Sequence, residues 1–194
     1  AEPPRLLGYE DSGMIGTPAN DNPACFWRAD LDEAADRLVA ILTAVGADVL
    51  TIYDDHGLYG HPDHIQVHRV GRLAGERAGL AHVYEATVGR ERAIDGFRAM
   101  AGELEARGLD APNLEAMGDF WVTETDLAYI VDVSAQARLK RAALACHRSQ
   151  VSEQSSFLAL PDEYYAQIFA FESFALPGVT GTGGPQMVEL LPGL

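Results

Sequence analysis

Apolar residues recur at helical spacing through "DLDEAADRLVAILTAVG", with Leu31, Ala34, Ala35, Leu38, Leu42 and Val45 on one face. Asp30 is a natural N-cap with Glu33 at capping-box spacing, and Gly46 is a natural stop. "ADVLTIY" then runs apolar and partly β-branched, as a strand buried on both faces does. The spacing predicts a helix over about residues 62–78, a strand in "AHVYEATVG" and a helix in "RERAIDGFRAMAGELEARG". Strand-like segments follow around Trp121 and from Tyr129 to Val133. "AQARLKRAALACHRSQ" reads as a helix, "DEYYAQIFAF" as a short helix and "ESFAL" as the final strand. Tyr164, Tyr165, Phe169, Phe171 and Phe174 are expected in the core. The first thirty residues, rich in Gly, Pro, Asn and Asp, read as a long loop. Helices alternating with strands imply a single α/β domain over residues 1–194 with a largely parallel sheet flanked by helices. In such sheets chemistry gathers at the carboxyl ends of strands.

The loop after "LTIY" has that position, and its composition is unusual. Residues 56–68, "HGLYGHPDHIQVH", hold four of the six histidines in the chain. Pro62 suits a first helical turn, and Asp63 would sit at the positive helix end. His64 and His68, four apart, share a face. Neutral imidazole is a common metal ligand, and a zinc site combines His, Asp or Glu with an open position. Spacing alone leaves open which histidine is a ligand. A carboxylate beside the histidines could also fix an imidazole tautomer.

Composition narrows the partners. The chain of 194 residues carries 29 acidic and 14 basic side chains, a net charge of −15, which disfavours nucleic acid and anionic membranes. No apolar run approaches the ~18 residues of a spanning helix. Cys25 and Cys146 read as free thiols of a cytoplasmic protein. Packing is the expected role of His147, of Cys146, and of Phe26 and Trp27 as loop anchors. Asp54 and Asp55 are expected to be solvated.

"YGHPDHIQVHR" resembles the second signature of the GlcNAc-PI de-N-acetylase (LmbE/PIG-L) family. "LGYEDSGM", "FWRADLDEAADRLVAILTAVGADVLTIYD", "KRAALACHRSQ" and "FESFAL" are similar to further blocks, above all in actinobacterial mycothiol-pathway deacetylases and amidases. The resemblance implies a Rossmann-like fold and a Zn(2+)-dependent hydrolase that removes an N-acetyl group from an amino sugar. It implies His64 as a zinc ligand and His61 as the residue stabilising the oxyanion and protonating the leaving amine. Asp63 is implied to orient and tune His61, Tyr59 to polarise the substrate carbonyl, and Asp11 to contact the sugar. The family's first signature, His-Pro-Asp-Asp-Glu, supplies two further ligands and the base, and it does not occur in these residues. An N-terminally incomplete domain is therefore expected, its ligands and exposed strand edge completed by self-association or a second chain. His56, His68, Asp54 and Asp55 are lesser local substitutes by donor type. A non-catalytic, partner-binding remnant and a hydratase or lyase on the same scaffold are the alternative functions.

Overall fold

The computed structural model describes residues 3–106, 108, 121–149, 151, 158 and 161–194. Helices α1 (Leu31–Val45), α2 (Pro62–Ala78), α3 (Arg90–Ala106), α4 (Ala137–Ala145) and α5 (Asp162–Phe169) alternate with strands β1 (Val49–Tyr53), β2 (His82–Thr87), β3 (Tyr129–Asp132), β4 (Phe171–Ala175) and β5 (Gln186–Val188). This is an α/β fold. Arg107 and Gln150, in the predicted ends of α3 and α4, lie outside the described residues, and α4 already stops at Ala145, short of its predicted end. The chain divides into two compact units.

The first unit comprises residues 1–87, 174–180 and 191–194. Asp30 caps α1 by accepting from the Glu33 N–H at 2.9 Å, and Gly46 ends it in the left-handed region at φ 62°. Ala35, Leu42 and Ala74 are buried together, with Leu38, Val39, Leu50, Leu73 and Leu80 packed around them. The predicted apolar face is shorter than its spacing suggests, because Leu31 and Val45 at the two ends of α1 are exposed. β1 and β2 pair in parallel, Val49 opposite His82 and Tyr53 opposite Ala86. α2 lies close on this pair because it presents glycine to it. A Cβ at Gly71 would overlap Ile52, and one at Gly75 would stand 2.8 Å from Val83 Cγ2. Arg77 of α2 donates to Asp36 at 2.7 Å and pairs with Asp32, tying α2 to α1. The far end of the unit is closed by residue 192, whose carbonyl accepts from the Tyr84 hydroxyl at 2.8 Å.

The second unit comprises residues 88–173 and 181–190. β3 and β5 pair in parallel, Tyr129 opposite Gln186 and Val131 opposite Val188. "ESFAL" is a strand as predicted but not the last one, since β5 follows it. The segment after Trp121 makes only a bridge, Val122 with Gly89, and then a 3-10 turn over Glu124–Asp126. Leu104, Trp121, Leu127 and Ile130 are buried in this unit. Tyr165 here, and Phe174 in the first unit, are buried as expected, whereas Tyr164, Phe169 and Phe171 are half-buried.

Candidate active site

The carboxyl end of β1 turns sharply, and Asp54 holds the turn. Its side chain is 1% exposed. One oxygen accepts from the Leu58 N–H at 2.8 Å and the other from the Thr87 hydroxyl at 2.5 Å. The expectation of a solvated Asp54 is therefore overturned. The carboxylate is buried because the Leu58 amide of the turn and the Thr87 hydroxyl at the end of β2 both donate to it. Gly57 follows at φ 62° and Leu58 at φ 64°, ψ −50°. Leu58 is the non-glycine residue with positive φ among the described residues, a conformation costing about 1–3 kcal/mol that the Asp54 bonds sustain. A Cβ on Gly57 would lie 2.8 Å from both His64 Cβ and the Ile65 nitrogen, so the turn packs directly on the start of α2.

That contact also orients His64. Its Nδ1 lies 3.2 Å from the Gly57 carbonyl oxygen. A carbonyl only accepts, so Nδ1 carries the proton and Nε2 keeps the lone pair. Burial, followed by the neighbouring His61, lowers the His64 pKa and keeps the ring neutral. Tyr53 stacks on it at 4.1 Å and 16°. Tyr59, 47% exposed, meets its edge at 5.1 Å. Burial raises the Tyr53 and Tyr59 phenols, so both remain donors at neutral pH.

His61 caps α2, its Nδ1 accepting from the Asp63 N–H at 3.2 Å. Its ring lies 5.0 Å from that of His64. The Asp63 carboxylate is gripped by a residue that sequence reasoning passed over. Ser12 donates its N–H to Oδ2 at 3.1 Å and its hydroxyl to Oδ1 in a short bond. Donor atoms of Asp11, His61 and Asp63 lie within 4.8 Å of one another. Asp11 is exposed, and its Oδ1 accepts from the Gly13 N–H at 2.8 Å. The structure thus brings Tyr59, His61, Asp63, His64 and Asp11 together.

The other candidates separate from this cluster. His56 is exposed beside Asp55. His68 is buried, with Nδ1 3.1 Å from the Tyr53 carbonyl oxygen and 3.4 Å from Glu85. Burial raises the Glu85 pKa to about 7 and lowers that of His68, so both tend to neutrality. His147 is exposed, its Nδ1 3.1 Å from the Ala143 carbonyl one turn back, so the expected packing role is not seen. Cys146 is also exposed, not buried as expected, because the whole C-terminal turn of α4, with Ala142, Ala143 and Ala145, faces solvent; Cys25 is buried, and both thiols are free. Phe26 stacks on Tyr9 at 5.3 Å and Arg69 lies over Trp27 at 4.8 Å, which fits loop anchoring. Of the groups missed, Ser12 had a signal only in its position inside "DSGM", and Tyr53 and Glu85 had none beyond membership of strands.

No family model matches the sequence. Among curated proteins, it is 38% identical over 98% of its length to the 1D-myo-inositol 2-acetamido-2-deoxy-alpha-D-glucopyranoside deacetylase of Geodermatophilus obscurus, covering 71% of that protein. Similar enzymes of the same name are 39% identical in Frankia casuarinae (deacetylase 2) and 36% in Thermomonospora curvata. The matches cover 93% and 95% of this chain, and 64% and 67% of those two proteins. The chain belongs to the LmbE/PIG-L deacetylase family. The family implies zinc, and the donor set fits one part of such a centre. His64 offers a neutral imidazole with its tautomer already fixed. The Asp11, His61 and Asp63 trio is already engaged in hydrogen bonds with Gly13 and Ser12 and within the helix cap. A centre with three protein ligands and a water therefore draws on donors besides His64.

Proposed function

We propose that this chain is the substrate-facing part of a zinc-dependent amino-sugar N-deacetylase, a single Rossmann-like domain acting in the cytoplasm on an N-acetylglucosaminyl-inositol. The observation that carries the proposal is the Tyr59, His61, Asp63 and His64 constellation on one strand-end turn and helix start. The names of the relatives supply the substrate class. Two free thiols support a reducing compartment. No helix among the described residues is long and apolar enough to cross a membrane, and a net charge of −15 disfavours nucleic acid.

His64 would be a zinc ligand through Nε2. When bound, zinc supplies Lewis acidity at the amide oxygen and an acidified water. Neutral His61, with Nδ1 accepting from Asp63 N–H, holds its proton on Nε2. From Nε2 the neutral ring can donate a hydrogen bond to the developing oxyanion, and once protonated to the imidazolium it can give a proton to the leaving amine. The Asp63 carboxylate, with an oxygen within 4.8 Å of a His61 nitrogen, stabilises the cationic ring. The Tyr59 phenol, a donor at neutral pH, polarises the substrate carbonyl. Asp11, at the exposed rim, accepts from sugar hydroxyls.

The test is zinc content together with acetate release from N-acetylglucosaminyl-inositol by the chain and by His64→Ala. We expect zinc-stimulated release that the substitution abolishes; full activity of His64→Ala would refute the assignment. The engaged state of the Asp11, His61 and Asp63 trio favours one rival reading, a non-catalytic module completed by a partner chain. Zinc uptake at one equivalent with turnover excludes it.

A further inference from the structure

Two neighbours in the cluster are held together by a residue with no role so far. Ser12 is completely buried. Its N–H and its hydroxyl each take one oxygen of Asp63, fixing both side-chain torsions of that carboxylate. The direction of the hydroxyl proton is itself determined. The Trp27 N–H donates to Ser12 Oγ at 2.8 Å, which occupies a lone pair and leaves the proton for Asp63. The Ser12 carbonyl in turn accepts from the Asn20 side chain at 2.5 Å. Every polar group of Ser12 is thus used, and no water is needed to satisfy it. The residue before it is Asp11, at the exposed rim.

We infer that Ser12 is a positioning residue of the reaction: it locks the Asp63 carboxylate beside His61 and couples it to the loop that carries Asp11. This rests on the deacetylase reading. A carboxylate free to rotate in the first turn of α2 would spread its charge over several positions, and only one of them supports the His61 ring. Ser12 removes that freedom without touching substrate.

The experiment is a double-mutant cycle on the zinc-loaded chain, using Ser12→Ala, Asp63→Asn and the pair, with acetate release as the readout. Ser12→Ala is expected to lower kcat by about 10- to 100-fold and to leave KM within about three-fold. In the Asp63→Asn background it should lower kcat no further, because the group it acts through is already altered. An undiminished second loss would overturn the inference. So would a lowered melting temperature with kcat and KM changed together, the mark of a merely structural role. A second arm does not depend on turnover. The 15N resonances of the His61 ring should move in Ser12→Ala as they do in Asp63→Asn. If the wild-type chain releases no acetate, the deacetylase reading fails, while unmoved His61 resonances are what sink the role of Ser12.

Discussion

The His64 imidazole lies flat on the Tyr53 ring, with centroids 4.1 Å apart and planes 16° from parallel. The last side chain of β1 therefore forms one wall for the residue proposed as the zinc ligand. The Gly57 carbonyl fixes its tautomer, and burial with the neighbouring His61 keeps the ring neutral before anything binds.

A stability consequence follows with a definite sign. The His64 pKa is lowered from 6.5 by burial and by His61, so the folded chain binds fewer protons there than the unfolded chain. The stabilisation is complete above the unfolded value and declines as pH falls through it. His68, also lowered by burial, acts in the same direction. Urea midpoints of the His64→Gln variant should fall less between pH 7 and pH 5 than those of the wild type. An equal fall in both would contradict this.

Glu85 works in the opposite direction. Its pKa is raised to about 7 by burial, against an ordinary value of 4.5. The folded state holds the proton that the unfolded state releases, so stability is full below pH 4.5 and is lost as pH rises through about 7. The nearby His68 offsets little of this, because it is itself held neutral. Glu85→Gln should be more stable than wild type at pH 8, by about 1–3 kcal/mol, and near parity at pH 4.5. Chemical denaturation at both pH values measures it.

Gly57→Ala should be severe. The residue sits at φ 62°, and the added Cβ would press on His64 Cβ and the Ile65 amide at 2.8 Å. A loss of about 2 kcal/mol or more is expected, together with the acetate-releasing activity. Gly79→Ala is the control. It has a similar φ of 67° but nothing within 4 Å, so its cost should stay near 1 kcal/mol with activity intact. Thermal melts and turnover of the two variants separate conformational strain from the clash at the site.

Asp54→Ala strips the turn of two acceptors and leaves the Leu58 N–H and the Thr87 hydroxyl unpaired in a buried place. The expected loss is about 2–4 kcal/mol. Amide exchange at Leu58 and Tyr59 should accelerate well beyond what global unfolding explains, because Asp54 is what sustains the positive φ of Leu58.

Much of this fold is legible residue by residue. α2 follows its spacing over 62–78, because Pro62 at the start, the turn of apolar positions and Gly79 at the end agree. α1 follows its cap and its stop in the same way. What was not legible depends on distance in sequence. β5 has three residues, and only its pairing with β3 makes it a strand. The burial of Asp54 depends on Thr87, 33 residues on, and the grip of Ser12 on Asp63 spans 51 residues. Nothing local in "YDDHG" or "DSGM" encodes either partner. The exposure of Cys146 and His147 is not legible because nothing in the alanine-rich spacing of α4 shows that its C-terminal turn, Ala142, Ala143 and Ala145 included, faces solvent.

The bond from Tyr84 to the Pro192 carbonyl spans 108 residues within one unit. On a ribosome, β2 emerges long before its partner does. The half that carries the imidazoles must therefore wait for this bond until nearly the whole second unit has been synthesised. Closure of that half is a late event in biosynthesis, and chains released early from translation should be caught with β2 open to proteases.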